Sequence, residues 1–204
     1  MFFYNDRIYQ FVSIFFISLS TISCVTESVE KSPSMKFSEA AVISVQDPNA
    51  MIVAGSTFSW LPDAVQFYED DRLKDAPIKS LIENEIVKNL EAKKMNFVES
   101  VNGAKYAIAY TAALESSLDD SAIIRRFGLM PGNSQVPQND DNVEKGTVII
   151  YVFNNKTAEV IWRSAAQVGV QFDTASEQRE TNVENVIGEM FKTFPSEDNA
   201  GKNQ

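Results

Sequence analysis

The chain has no histidine and only one cysteine, Cys24, among 204 residues. Without histidine, Ser-His-Asp and Cys-His nucleophilic catalysis are excluded, and the commonest proton shuttle at neutral pH is gone. Most zinc, copper and haem ligation goes with it. A lone cysteine cannot close a disulfide within the chain, and in an oxidising compartment an odd thiol is a liability. Basic residues are also scarce: 18 Lys and Arg stand against 28 Asp and Glu, a formal net charge of −10. That balance argues against nucleic acid and anionic lipid surfaces, which require clustered positive charge. Hydrolysis by paired carboxylates stays open in principle. However, no acidic pair stands in an apolar setting that would raise a pKa. No cofactor is expected, and the chain does not read as an enzyme.

What is present begins with an apolar run, Phe11 to Ile22, that stops at Ser23 and Cys24. The run falls short of the roughly 20 apolar residues of a transmembrane helix and has the proportions of a secretory leader. Thr21-Ile22-Ser23-Cys24 resembles the lipobox of bacterial lipoproteins, with Thr21 where a leucine-like residue is usual. The resemblance implies cleavage after Ser23 and a diacylglyceryl group on Cys24, which would also remove the free thiol. Residues 1–23 are then the signal and residues 24–40 a lipidated N-terminus and polar tether. Fourteen tether residues would span on the order of 20 Å, keeping the domain near the bilayer. Position two is Val25 rather than aspartate, which in lipoproteins of this kind implies sorting to the outer membrane, facing the periplasm.

Residues 41–195 carry the periodic signals of a single domain, with a polar tail over 196–204. Ala41 to Val45 is a short apolar strand, and a second ends in Thr57-Phe58-Ser59-Trp60. Asp75 is a candidate helix cap and Pro77 suits a first turn. Ile78, Leu81, Ile82, Ile86 and Leu90 then share one helical face to about Lys94, with Asn96 a candidate left-handed stop. Lys105 to Leu114 alternates, placing Tyr106, Ile108, Tyr110, Ala112 and Leu114 opposite Ala107, Ala109 and Ala113. The alanine row leaves room for helices, so the helices are expected there. Thr147 to Phe153 is apolar on both faces, as in a central strand. The turn Asn154-Asn155-Lys156-Thr157 leads into a long return strand through Trp162 and Arg163. Thr174 and Glu177 form a candidate capping box for a last helix, whose stripe is Val183, Val186, Ile187, Met190, Phe191 and Phe194. The fold expected is α+β: a mainly antiparallel sheet of four to five strands with two amphipathic helices on one face.

The order of these segments is similar to a bacterial lipoprotein family, domain of unknown function 4136. The matching pieces are Thr57-Phe58-Ser59-Trp60-Leu61-Pro62, the Pro77–Leu90 helix, Ala104-Lys105-Tyr106-Ala107-Ile108-Ala109-Tyr110, Gly146 to Ile150, Val160 to Arg163 and the closing Phe194-Pro195. Lys105 stands where the family has aspartate, and the glycine usual after the first helix is absent at Met95-Asn96-Phe97. The resemblance implies fold and compartment but no agreed activity.

Between the strands lies a long connection, Ser116 to Lys145, and connections of this length are commonly functional. Its middle is apolar with two arginines: Arg125, Arg126, Phe127, Leu129 and Met130 are the candidate partner-binding residues. The competing reading is a helical turn folded against the sheet edge. Asp119-Asp120 and Asp140-Asp141 lack the spacing of a calcium loop. Tyr106, Tyr110, Tyr151 and Phe153 would form an aromatic sheet face if their registers agree. The functional expectation is a non-enzymatic envelope module, held to the membrane through Cys24, that binds an envelope protein or itself. The alternative is a small-ligand or glycan carrier using the aromatic face.

Overall fold

Strand pairing in this protein is organised around the long hairpin. The computed structural model describes residues 39–196; Ser23, Cys24, the leader and most of the tether and tail lie outside that range. Strands β6 (Val143–Asn154) and β7 (Val160–Gln171) pair antiparallel along their whole length. β1 (Ala41–Gln46) adds antiparallel to β7, and β5 (Tyr106–Leu114) adds antiparallel to β6. Beyond β5 the sheet changes character. β2 (Thr57–Trp60) and β3 (Gln66–Phe67) both run parallel to β5, and β4 (Asn96–Phe97) runs parallel to β2. The sheet is therefore seven-stranded and mixed, not a mainly antiparallel sheet of four or five strands. The cause is α1 (Ile78–Ala92), which carries the chain back across the sheet so that the strands after it run in the direction of β2.

Among the described residues there are three α-helices, not two. α1 and α3 (Ser176–Phe191) lie side by side on one face, with Lys88 Nζ bridging to Glu184 Oε1 at 2.8 Å. Their buried stripes, Ile82, Ile86 and Leu90, and Val186, Ile187, Met190 and Phe191, are the ones the spacing predicts. Trp162 is fully buried beneath α3, its ring centroid 5.1 Å from Phe191 and 5.2 Å from Phe194. The side of β5 that they cover is the bulky one, Tyr106, Ile108, Tyr110 and Ala112, and not the alanine row. Large side chains fill the wide layer between a sheet and two long helices, and burying them stabilises by about 25 cal/mol per Å². The alanine side receives a third, shorter helix, α2 (Asp120–Phe127).

The registers also separate the predicted aromatic face. Ala107 pairs with Phe153 and Ala109 with Tyr151, so Tyr151 and Phe153 share the alanine face while Tyr106 and Tyr110 sit under the helices. Three helix-end expectations shift as well. Neither Asp75 nor Thr174 caps a helix: the N-cap residues are Pro77 for α1 and Ala175 for α3, both without a side-chain cap bond. The left-handed stop of α1 is Lys94 (φ 62°), not Asn96. Lys94 N–H donates to the Glu91 carbonyl at 2.8 Å and Met95 N–H to Leu90 at 3.1 Å, a double-bonded helix end closed by contact between buried Met95 and Leu90. Ser196, placed in the tail by its sequence, is buried and bridges Ile52. Among the described residues no helix is long and apolar enough to cross a membrane.

Candidate interaction surface

The apolar-arginine segment is α2 and the turn after it. Asp119 starts the helix by accepting the Ala122 N–H at 2.7 Å. Gly128 ends it in the left-handed region (φ 62°), a conformation with little cost only for a residue without a Cβ. The helix lies on the face of the sheet and not against its edge. Ile123 is fully buried among Leu118, Leu129, Ile149, Ala113 and Ala165, so small side chains on the sheet admit the helix backbone.

Polar groups also hold α2 to the sheet. Lys145 is 8% exposed on β6 and its Nζ reaches Asp120 Oδ2 at 2.6 Å and Glu115 Oε1 at 3.1 Å. Burial alone would lower the Lys145 pKa, but the two carboxylates outweigh it and leave the ammonium group raised above its ordinary value. Gln167, fully buried on β7, donates to Asp120 Oδ1 at 2.8 Å and to Thr147 at 3.2 Å. Its Oε1 accepts the Gly132 and Asn133 N–H groups at 2.9 and 3.1 Å. Asn133 in turn donates to the Glu39 carbonyl at 3.1 Å, which ties the loop after α2 to the start of β1. Arg163 Nη1 donates to the Phe127 carbonyl at 3.0 Å, placing a cation on the negative end of the helix.

The five predicted residues divide in this setting. Leu129 is buried, and Phe127 and Met130 are half-buried against the same cluster, with Phe127 leaning on Tyr151. Arg126 is exposed but engaged, donating to Tyr68 Oη at 2.8 Å and to Gln66 Oε1 at 3.3 Å. Arg125 is exposed and has no polar partner among the described residues. Next to it Ile124 is 51% exposed, roughly 160° around the helix from Arg126 and so on the flank away from β3, toward β1.

That flank adjoins residues that sequence reasoning missed. β1 ends the sheet, and its outer edge has no strand partner among the described residues. Val45 lies opposite Arg163 in the register, and Arg163 holds the end of α2. Ile43 and Val45 are 40% and 43% exposed on the α2 side of this strand. Exposed edges are ordinarily blunted by charge, proline or a bulge, yet Ala41–Gln46 contains neither charge nor proline and pairs with β7 in unbroken register. The opposite edge, β4, is only two residues long. One signal was available in the sequence: an apolar strand with no protective residue.

The model of the family described as domain of unknown function (DUF4136) matches residues 42–196. The chain belongs to the DUF4136 family. A DUF4136 family protein from Bacteroides thetaiotaomicron is similar in structure, at 14% identity over 76% of this chain and 96% of that one, with a TM-score of 0.44. The PelC dodecamer from Paraburkholderia phytofirmans is similar at 8% identity over 74% of this chain and 97% of that one, with a TM-score of 0.43. No curated protein matches the chain.

Proposed function

We propose that this DUF4136 domain is a non-enzymatic, lipid-anchored module on the periplasmic side of the outer membrane that binds an envelope protein through the β1 edge and the adjoining flank of α2. The observation that carries the reading is the unblunted edge of Ala41–Gln46, with Ile43 and Val45 exposed on the sheet face that α2 covers, and Arg163, opposite Val45, bonded to the end of α2. A partner strand laid against β1 would satisfy its outer N–H and C=O groups, and Ile43, Val45 and Ile124 would supply apolar contact. Arg125 would add a charge free to pair, and arginine is enriched at such surfaces. The anchor and compartment rest on Cys24 and the leader that precedes it. The absence of histidine and the polar network's engagement in holding α2 support a binding role over a catalytic one.

A photo-crosslinking residue at Ile43 in intact cells tests the reading. The expected result is one discrete crosslinked species that disappears when Val45→Lys is added to the same chain, because an edge lysine opposes strand addition. No crosslink, or one that survives Val45→Lys, would refute it. Intact mass of the extracted protein checks the anchor: acyl groups on Cys24 and loss of residues 1–23 are expected.

A further inference from the structure

On the other face, between α1, α3 and the ends of β5, β6 and β7, the layer is not completely filled. A cavity of about 120 Å³ opens there, walled by Ile78 and Ile82 of α1, Val183 and Ile187 of α3, and Ala112 and Val148 of the sheet. An apolar void of about 150 Å³ takes up benzene, so a space of about 120 Å³ is of the size that holds a short hydrocarbon segment. The walls named above are apolar, and Thr174, Asn182 and Arg179 are among the polar residues that border the cavity.

Two arginines meet Phe172 and are in contrasting states. Arg72 is saturated: it pairs with Asp70 at 2.8 Å and Glu144 at 2.6 Å, and its guanidinium lies 4.3 Å from the Phe172 ring centroid. Arg179 is half-buried at the rim, donates only to the Phe172 carbonyl at 3.3 Å, and has no carboxylate partner among the described residues. A planar fork of N–H donors left without an anion, beside an apolar cavity, is complementary to a carboxylate that carries a hydrocarbon tail.

We propose that the cavity between α1, α3 and the sheet binds a single-chain aliphatic carboxylate, its tail between Ile82 and Ile187 and its headgroup on Arg179. The site lies on the opposite face from the α2 surface and does not depend on the role proposed for it. The test uses the full chain in lipid nanodiscs with 13C-labelled isoleucine and valine methyls, titrated with sodium octanoate and, separately, with 1-octanol. Octanoate is expected to shift the Ile78, Ile82 and Ile187 methyls and to leave Ile43 and Ile124 unmoved. Arg179→Gln should weaken octanoate about tenfold, the loss of one charge-assisted contact, and leave 1-octanol unchanged. Val183→Trp, which fills the cavity, should abolish both. The proposal is overturned if octanoate moves none of the cavity methyls, moves Ile43 and Ile124 equally, or binds Arg179→Gln as tightly as the parent. Should Val183→Trp fail to fold, the parent's site-resolved shifts and the Arg179→Gln titration still decide.

Discussion

The two faces of the sheet are covered by different means. Beneath α1 and α3 the contacts are apolar and large: Trp162, Phe191, Phe194, Tyr110 and Phe58 are all almost fully buried. Beneath α2 the apolar cluster is small, and much of the attachment is polar, through Lys145, Asp120, Gln167 and Asn133. Apolar burial resists opening as a unit, because exposing one side chain exposes its neighbours. A short helix held by a few hydrogen bonds can open by itself, at a free energy below that of global unfolding. Under the function proposed above, the α2 side would adjust to a partner while α1 and α3 keep the sheet intact.

The contrast can be broken at its strongest point first. Trp162→Ala should cost about 3–5 kcal/mol, the range for emptying a large aromatic site, and lower the urea midpoint of the whole domain. Next, Lys145→Met should cost about 1–3 kcal/mol by leaving Asp120 without its cation. Amide exchange should quicken across Asp120–Phe127 while α1 and α3 stay protected; equal loss of protection everywhere would mean that the two faces are not separable.

Acid should act at the end of the sheet, where Arg72 holds Asp70 and Glu144. The Arg72 hydrogen bond lowers the Asp70 carboxyl below its ordinary 3.8. For Glu144, burial pushes the pKa upward, but the Ser116 N–H and Arg72 outweigh it and bring it below 4.5. A carboxyl lowered on folding adds stability that is present above its unfolded value and lost as pH falls through the folded one. Unfolding followed from pH 6 downward should therefore show stability falling below about pH 4.5, and Arg72→Ala should flatten that fall. The smallest effect on stability belongs to Arg125→Glu. It should stay within about 0.5 kcal/mol, as for an unengaged surface residue, and should reduce partner capture.

How much was legible in the sequence follows from period and length. The Ile82–Ile86–Leu90 stripe, the β6–β7 hairpin and the burial of Trp162 could be read because each repeats a pattern over many residues. β3 and β4 are two residues each and carry no period, so the parallel half of the sheet was not visible. The choice of face failed for a different reason. The alanine row does admit a helix at Ala113, but the one it admits is α2, whose eight residues within a long connection give too short a pattern. Cross-strand register, which sends Tyr151 and Tyr110 to opposite faces, is a pairing property that no single segment encodes. For the same reason Arg125 and Arg126 could not be told apart: only the fold brings Tyr68 and Gln66 to one of them.

The most direct measurement compares crosslinking from Ile43, Ile124 and Asn182 in intact cells. The first two lie on the β1 and α2 flank and the third on the opposite helical layer. Ile43 and Ile124 are predicted to capture the same protein, with Asn182 capturing none of it. Capture of that protein from Asn182 alone, or equally from all three positions, would contradict the assignment of the partner surface to the β1 edge.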